Sequence, residues 1–385
     1  VAFPYFCLAV FVVGHAYRYI TDRYAWNSHG SELIEKKTLF FGSYLFHIGI
    51  LGTLGGHAAG LLIPQTVYDM VGIDTAAHNA SLASGTVAVM AGGVDVVFHQ
   101  AARVGVAQSM YLAADCTRVN CVGTALLMEE IVSRRARVEK VVVASSMSVY
   151  GEGEYACPSC GPVSAGPRDS GRLKAGKWEH ACPGCGGDVQ PAPTAETKPL
   201  VPTSVYASAK RFQEETVLNL GRAYGIPVTA LRYFNVYGPG QALSNPYTGV
   251  AAIFSSRLLN GMDPVIYEDG RQGRDFVHIS DVVRANLLAM ERKEADYEAF
   301  NVGTGRLVPL LEMARGLEER LAPARGLSPR ILKTYREGDI RHCYADIGKI
   351  RSRLGFEPRV PLERGCDDLA AWARSQNAVD RFDEA

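Results

Sequence analysis

The stretch KVVVASSMSVYG, residues 140–151, indicates the fold of most of this chain. Its apolar, β-branched first half predicts a buried strand, and small polar residues follow where that strand ends. Further strands are predicted at residues 94–98 and 226–233, with helices at residues 123–138 and 208–224. Strands that alternate with helices predict an α/β fold whose parallel sheet is covered by helices on both faces.

Three polar motifs lie where ligands bind in such folds, at the carboxyl ends of strands or at the start of a helix. They are HQAA (99–102), SSMSVYG (145–151) and YASAK (206–210). A YxxxK motif by itself is weak, because a solvated tyrosine and lysine one helical turn apart are common. The order and spacing of all three motifs, with Asn120 between the first two, make the set specific.

Tyr206, Lys210 and Ser146 form the candidate catalytic group. A free tyrosine has a pKa near 10 and is a poor base at neutral pH. Lys210 shares the helix face of Tyr206, and its positive charge favours the phenolate. Tyr206 is therefore expected to take the proton of a sugar hydroxyl while Ser146 hydrogen-bonds the same oxygen.

With these motifs, residues from about Gly93 to Trp372 resemble the extended short-chain dehydrogenase/reductase family, specifically its NAD-dependent nucleotide-sugar epimerases and dehydratases. Further matching stretches are RYFNVYGPGQ (232–241), GRDFVHISDV (273–282), FNVGTG (300–305) and REGDIRHCYAD (336–346). The stretches VVASSMSVYGEG and GPGQALSNPYTGVAAIFSSRLLNG are similar to dTDP-L-rhamnose 4-epimerase-like proteins. The resemblance implies a truncated Rossmann-type parallel sheet with a small C-terminal substrate subdomain.

The resemblance also implies which residues form the site. It assigns NAD binding to His99, Ala101, Ala102, Asn120, Ser145, Tyr206 and Lys210, and nucleotide-sugar binding to Ser148, Asn235, Arg274, Arg336 and Asp339. Guanidinium groups suit phosphate, whereas any single arginine is as well explained by a surface salt bridge. The family's 4,6-dehydratases carry an acid and a base where this chain has Met147 and Ser148. We therefore expect an isomerase that epimerises C4 of a dTDP- or UDP-hexose.

The family's first segment has no match in this chain. That segment is a strand, a GxxGxxG loop, a helix and a second strand ending in an acidic residue, and before HQAA only the short strand at residues 94–98 remains. Gly49, Gly52 and Gly55 have the GxxGxxG spacing but lie within a long uncharged run. That run lacks the strand-to-helix transition that presents free N–H groups to a pyrophosphate. We expect NAD binding and turnover to be impaired.

A cysteine-rich insert, residues 151–200, carries two CxxC pairs separated by 21 residues, namely Cys157 with Cys160 and Cys182 with Cys185. Each pair is followed by glycine, and four thiolates suit a tetrahedral zinc ion. His180 is a further candidate ligand. The alternatives are two disulfides or reduced thiols, and a cytoplasmic location disfavours disulfides. We expect a structural zinc ribbon, because four thiolates leave no open position for water.

The first 92 residues differ in character from the rest. The runs 1–17 and 38–64 contain no charged side chain. Residues 1–20 nearly reach, and residues 38–63 exceed, the roughly 20 apolar residues that span a bilayer. Residues 80–98 are a weaker third candidate span. Basic residues between the first two runs place that connector in the cytoplasm by the positive-inside rule.

His47 and His57 lie in the second uncharged run, about 15 Å apart along a helix. They are too distant to share one metal; either each binds one of two haems, or both are hydrogen-bonded within a helix bundle. Residues 1–92 resemble the first helices of the respiratory nitrate reductase gamma subunit, a di-haem b protein, which implies one axial ligand of each haem at these histidines. The helix that supplies the opposing ligands in that family is missing, so we expect no stable haem.

The sequence thus predicts a membrane-helix fragment at residues 1–92 and an epimerase-like part at residues 93–385, joined near residues 91–94 as in a fusion of two gene fragments. The 40 basic and 40 acidic side chains cancel, which argues against a nucleic-acid partner. We expect association with the inner (cytoplasmic) membrane through residues 1–92 and a cytoplasmic epimerase part. A homodimer is compatible with the sequence. The alternative function is that of a haem b electron-transfer membrane subunit.

Overall fold

The computed structural model describes residues 94–133, 138–245, 247, 249–336, 338–380 and 382. The predictions made for residues 1–93, including the first two membrane spans, His47, His57 and the glycines of the uncharged run, lie outside the described residues. None of the helices in the described part is both long and apolar enough to cross a bilayer.

The described part alternates strands with helices. The strands are β1 (Val96–His99), β2 (Lys140–Ser146), β3 (Glu154–Cys157), β4 (Gly161–Ser164), β5 (Gln190–Ala192), β6 (Val228–Tyr233), β7 (Asn235–Tyr237), β8 (Val265–Ile266), β9 (Gly273–Arg274), β10 (Phe276–His278), β11 (Glu298–Val302), β12 (Val308–Pro309), β13 (Arg330–Ile331) and β14 (His342–Cys343). The helices are α1 (Val106–Tyr111), α2 (Ala113–Thr117), α3 (Gly123–Ser133), α4 (Ser170–Lys174), α5 (Val205–Tyr224), α6 (Val250–Leu259), α7 (Ile279–Glu291), α8 (Leu310–Leu321), α9 (Gly348–Leu354) and α10 (Leu362–Ala373).

The central sheet has four parallel strands in the order β1-β2-β6-β11. Alternate residues of β2 face opposite sides: Val141 and Val143 pack with helices α3 and α5, and Val142 packs with α7. Because both faces are covered, residues 141–144 of the strand are all apolar. The predicted α/β fold with a parallel sheet is confirmed.

Strand β1 forms one edge of this sheet, since among the described strands it pairs only with β2. The side chain of Phe98 on β1 is consequently 39% exposed. Residues 80–98 were a candidate membrane span, and for Val96–Phe98 that prediction is wrong. These residues satisfy their backbone hydrogen bonds in the sheet rather than in a helix.

The C-terminal part contributes a second apolar core. Helices α6, α8 and α10 bury Phe254, Leu317 and Leu369 among other side chains. A small sheet in the order β12-β9-β14 lies in the same part, and its strand β9 ends at Arg274. The insert forms a separate three-stranded sheet in the order β4-β3-β5. The insert thus has a sheet of its own, and the C-terminal part has an apolar core in addition to that of the central sheet.

Helix α5 is fixed against the sheet by a buried ion pair. Glu214, on α5, accepts hydrogen bonds from Arg232 of β6, with Nε 3.0 Å from Oε2, and from the hydroxyl of Ser145 at the end of β2 at 2.6 Å. Arg232 also donates to the hydroxyl of Tyr150 at 2.7 Å. Glu214 is in helical phase with Tyr206 and Lys210, so the ion pair sets the rotation of the helix that carries both.

We expect Glu214→Leu to lower the free energy of unfolding by about 3–5 kcal/mol, because Arg232 would stay buried without a counter-charge. The double variant Glu214→Leu/Arg232→Leu removes both charges and should be more stable than Glu214→Leu alone. Urea denaturation of the wild type, both single variants and the double variant measures this. Additive losses from the two single changes would show that the two side chains are not coupled.

Candidate active site

The proposed catalytic residues meet at the carboxyl end of β2. Helix α5 begins at Val205, capped by Ser204, whose hydroxyl accepts the N–H of Ala207 at 3.1 Å. Tyr206 therefore lies in the first turn and interacts with the side chain of Ser146. Lys210, one turn further, donates from Nζ to the carbonyl oxygen of Ala144 at 2.9 Å.

Burial dominates the electrostatics of this group. It raises the pKa of Tyr206 to about 12, against the lowering influence of a hydrogen bond with Ser146. Burial also lowers the pKa of Lys210 to about 8. From the sequence we expected the positive charge of Lys210 to favour the phenolate of Tyr206. In the structure the ammonium group is instead directed at the Ala144 carbonyl, so Tyr206 stays protonated at neutral pH unless a positive charge is placed beside it.

Ser146 and Ser148 form a compact hydroxyl pair. Ser146 caps the 3₁₀ turn Met147–Tyr150, and its oxygen accepts from the Ser148 N–H at 3.2 Å and from the Ser148 hydroxyl at 2.9 Å. Met147 is buried. The turn Met147–Tyr150 carries no carboxyl group for general acid–base chemistry, and the Ser146 hydroxyl before it interacts with the phenol of Tyr206.

A residue that the sequence analysis missed also positions Tyr206. The backbone N–H of Tyr206 donates to the hydroxyl of Ser109 on α1 at 3.0 Å, and that hydroxyl donates to the carbonyl of Val106 at 2.7 Å. First-turn N–H groups of a helix lack intrahelical partners, which is why an outside acceptor is used. The unpaired N–H was foreseeable from the sequence, but a partner 97 positions away was not.

The side chain of Asn120 holds the loop after β1 in place. The side-chain amide of Asn120 accepts the N–H of Arg103 at 2.6 Å and donates to the carbonyl of Arg103 at 3.0 Å. This reciprocal pair holds the HQAA loop, on which Ala101 is exposed and Ala102 is half-buried. Asn120 is itself fully buried, so it acts on this loop through the backbone.

Two of the predicted cofactor residues make internal contacts. His99 is buried, with Nε2 at 2.7 Å from the hydroxyl of Thr124 and at 3.2 Å from the amide nitrogen of Gln213. Burial, and then the charge of Lys210, lower the pKa of His99 to about 4, so the imidazole is neutral at pH 7. The hydroxyl of Ser145 donates to Glu214, as described above.

The predicted nucleotide-binding residues lie on four segments: Ser148 in the turn after β2, Asn235 at the start of β7, Arg274 at the end of β9, and Arg336 and Asp339 between β13 and β14. Arg274 donates to the carbonyl oxygens of Gly273, Ile340 and Arg341 at 2.8–3.0 Å, and Nη2 lies 3.4 Å from Oδ1 of Asp339. The guanidinium group of Arg274 is thus hydrogen-bonded largely to backbone carbonyl oxygens, whereas from the sequence we expected it to bind phosphate. Arg336 is exposed, and its guanidinium lies over the ring of Tyr267 at 4.4 Å. Within the described residues the buried Oδ1 of Asn235 has no hydrogen-bond partner.

The four cysteines of the insert converge. Their sulfur atoms all lie within 4.8 Å of one another, and all four thiols are free. A tetrahedral zinc ion with Zn–S bonds of about 2.3 Å separates its sulfurs by about 3.8 Å, so the arrangement fits such an ion. Gly161 and Gly186, which follow the two pairs, have φ angles of +82° and +72°. His180 is not part of the cluster; its Nε2 lies 3.2 Å from Oε1 of Glu152.

Comparison with protein families gives two matches. Residues 184–303 match the model of the NAD dependent epimerase/dehydratase family. Residues 1–148 match the model of the nitrate reductase gamma subunit, and this second match extends across β1 and β2 of the sheet.

Individual relatives cover most of the described part. The chain is 35% identical to the dTDP-L-rhamnose 4-epimerase of Burkholderia thailandensis, over 72% of this chain and 74% of that protein. Among solved structures, the UDP-glucose 4-epimerase of Thermotoga maritima with UDP-glucose is 33% identical, with a TM-score of 0.58, over 73% of this chain and 77% of that one. MoeE5 in complex with UDP-glucose and NAD is 31% identical, with a TM-score of 0.56, over 73% and 79%.

The depressed pKa of His99 predicts a pH-dependent stability. The unfolded chain protonates His99 near pH 6.5 and the folded chain only near pH 4, so acidification through this window favours unfolding. We expect wild-type protein to lose on the order of 2–3 kcal/mol more than His99→Gln between pH 7 and pH 4. Urea denaturation of both proteins across this range tests it. Contributions from other groups cancel in the difference, and parallel pH profiles would contradict the assignment.

Proposed function

The chain belongs to the NAD-dependent epimerase/dehydratase family, and from that premise we propose that residues 93–385 are the substrate-binding and catalytic part of a nucleotide-sugar 4-epimerase. The observation that carries this proposal is the meeting of Tyr206, Lys210 and Ser146 at the carboxyl end of β2. The substrate is a dTDP- or UDP-hexose. Two of the three relatives named above are epimerases of such sugars by name.

In this proposal Tyr206 is the acid–base group. Once a positive charge beside it has lowered its pKa, it takes the proton from the 4-hydroxyl of the sugar and later returns it, while Ser146 hydrogen-bonds the same oxygen. Lys210 remains largely cationic at pH 7, because its pKa is lowered only to about 8. When bound, NAD supplies the hydride acceptor and donor for C4. Inversion at C4 needs no further side-chain acid, which agrees with Met147 and Ser148 in place of a dehydratase acid and base.

The nucleotide part of the substrate is assigned to the segment that follows β13 and to the end of β9. Arg336 is exposed and available for a diphosphate, and Arg274 lies beside Asp339, whose carboxylate suits ribose hydroxyls. The buried Oδ1 of Asn235, which has no hydrogen-bond partner among the described residues, suits a hydroxyl or amide of the ligand. Ser148 completes the set next to Ser146.

The cofactor site in residues 93–385 suits only the nicotinamide end of NAD. The HQAA loop, Tyr206 and Lys210 would hold that end, and Asn120, Ser145 and His99 would support it through their buried contacts. A pyrophosphate-binding GxxGxxG loop is not part of this stretch, and about a quarter of the length of each relative has no counterpart in this chain. We propose that turnover requires such a segment and that residues 1–92 do not supply it.

The four-cysteine cluster is proposed to hold one structural zinc ion. Four thiolates complete a tetrahedral shell, so the ion has no open position for water and no direct part in the reaction. Its contribution is to fold the insert, whose two CxxC pairs meet at this cluster.

A second candidate function rests on the match of residues 1–148 to the nitrate reductase gamma subunit. In it, residues 1–92 attach the chain to the cytoplasmic membrane, and His47 and His57 ligate haem b for electron transfer. In the described part His99, His180, His278 and His342 all contact polar protein groups. A Soret band in purified membranes, lost in His47→Ala and His57→Ala, favours this function; copurifying NAD favours the epimerase.

We expect no measurable epimerase activity on dTDP- or UDP-hexoses from the unmodified chain. Loss of several charge-assisted pyrophosphate contacts, each worth about 1.5–3 kcal/mol, weakens NAD binding by orders of magnitude. Replacing residues 1–92 with a strand–GxxGxxG–helix segment from a relative should restore activity, and Tyr206→Phe should abolish the restored activity. Tight NAD binding or turnover by the unmodified chain would contradict the proposal.

Purified protein should contain about one zinc ion per chain by elemental analysis. Replacing Cys157 and Cys182 with serine should abolish the metal, because two thiolates do not hold it at the same affinity. Cys366, which is buried in the C-terminal core, provides a matched control: Cys366→Ser should keep the metal. Folded protein without zinc would remove the zinc-ribbon assignment.

A further inference from the structure

The insert is joined to the proposed nucleotide-binding segment by a buried ionic network. Arg341, adjacent to β14, is fully buried, and its guanidinium contacts carboxylates of Glu179, Glu268 and Asp269 at 2.7–2.9 Å. Glu179 belongs to the insert, and the other two carboxylates belong to the substrate part. The side chain of a single arginine therefore bridges the two units.

Arg168 of the insert reaches the same region from another direction. Its Nη2 donates to the carbonyl oxygen of Asp339 at 2.7 Å and lies 2.7 Å from Oε1 of Glu268. Its side chain is almost fully buried. Near Arg168, the ring of Trp178 lies 6.4 Å from the ring of Tyr335, which is the residue directly before Arg336. The backbone that carries Arg336 and Asp339 is thus held against the insert.

Glu179 also fixes β14 through His342. Nδ1 of His342 accepts the backbone N–H of Gly273 at 3.0 Å, so Nε2 carries the proton and donates to Oε2 of Glu179 at 3.0 Å. Although burial opposes it, the hydrogen bonds from His342 and Arg341 lower the pKa of Glu179 to about 2, so this carboxylate is ionised at neutral pH. Gly273 is the residue before Arg274, so the insert is linked to Gly273 through two hydrogen bonds of His342.

The orientation of Arg274 depends on this arrangement. Nη1 donates to the carbonyl of Arg341 and Nη2 to the carbonyl of Ile340. These two carbonyls belong to the backbone that Glu179 and Arg168 hold. Insert, backbone and Arg274 form a continuous series of contacts, and the four-cysteine cluster stabilises the insert at its far end.

We propose that the insert is a positioning element of the nucleotide site: through Arg168 and Glu179 it aligns Arg274 and Asp339, so that metal in the four-cysteine cluster sets the affinity for a nucleoside diphosphate. This inference rests on the proposed function, because it takes Arg274, Arg336 and Asp339 as nucleotide-binding residues. Arg168 and Glu179 are positioning residues, since they reach the ligand only through other groups.

The test measures binding of UDP and of dTDP to the full chain by titration calorimetry, which requires neither NAD nor turnover. Glu179→Gln keeps the size of the side chain and removes its charge, and Arg168→Lys keeps the charge and removes the fork. Each should raise the dissociation constant at least tenfold. The matched control Glu357→Gln breaks an exposed ion pair with Arg351 (2.6 Å) and should leave the dissociation constant unchanged.

The metal dependence is tested in the same assay. Removal of zinc, by Cys160→Ser/Cys185→Ser, should raise the dissociation constant about as much as Glu179→Gln does. In the combined variant the effects should not multiply, because both changes release the same contacts. Hydrogen exchange of the amides of residues 339–342, measured without nucleotide, should accelerate in each variant while exchange in β2 and β6 stays as in the wild type.

The outcomes separate this inference from the proposed function. Wild-type protein that binds UDP or dTDP while folded Glu179→Gln, Arg168→Lys and metal-free proteins bind equally well overturns the positioning role and leaves the nucleotide site standing. Wild-type protein that binds neither nucleotide overturns both. Accelerated exchange throughout the sheet would show a general loss of stability and would also overturn the positioning role.

Discussion

The buried ion pair between Glu214 and Arg232 is the interaction on which the rest of the site depends. It joins α5 to β6 and, through Ser145, to β2, and removing either charge would leave the other without a partner in the core. Because Tyr206, Lys210 and Glu214 follow one another on one face of the helix, the pair fixes where the phenol and the ammonium group lie. One charge pair thereby holds together the two strands and the helix that form the site.

A second buried network organises the substrate side. Arg341 is surrounded by three carboxylates from two structural units, and its neighbours Ile340 and His342 place Arg274. In such a network each charge is tolerated in the interior only because its partners are present. The insert between β2 and α5 is therefore part of this network. It supplies Glu179 and Arg168 to this network, and the carboxylate of Glu152 accepts the backbone N–H of Arg341 at 2.9 Å.

Burial determines the pKa values of the two ionisable side chains in the candidate active site. Burial holds the pKa of Tyr206 at about 12 and lowers that of Lys210 to about 8. A phenol with such a pKa donates protons and does not accept them, so activation requires a cation close to it. The nicotinamide end of the cofactor and the substrate hydroxyl both enter at this position in our proposal. The protein thus fixes the geometry of this group, and the phenol stays protonated until a positive charge lies beside it.

The sequence by itself determined the α/β fold, the order of the motifs and the four-cysteine cluster, because each depends on local periodicity or on residue spacing along the chain. It also brought Tyr206 and Lys210 onto one helix face. Only the tertiary structure decided what those groups touch. Arg274 bonds to backbone carbonyls, His99 to Thr124, and Ser109 to the first turn of α5, and Glu179 of the insert reaches Arg341 across 162 positions. Such partners depend on how distant segments pack, and no local pattern encodes that packing.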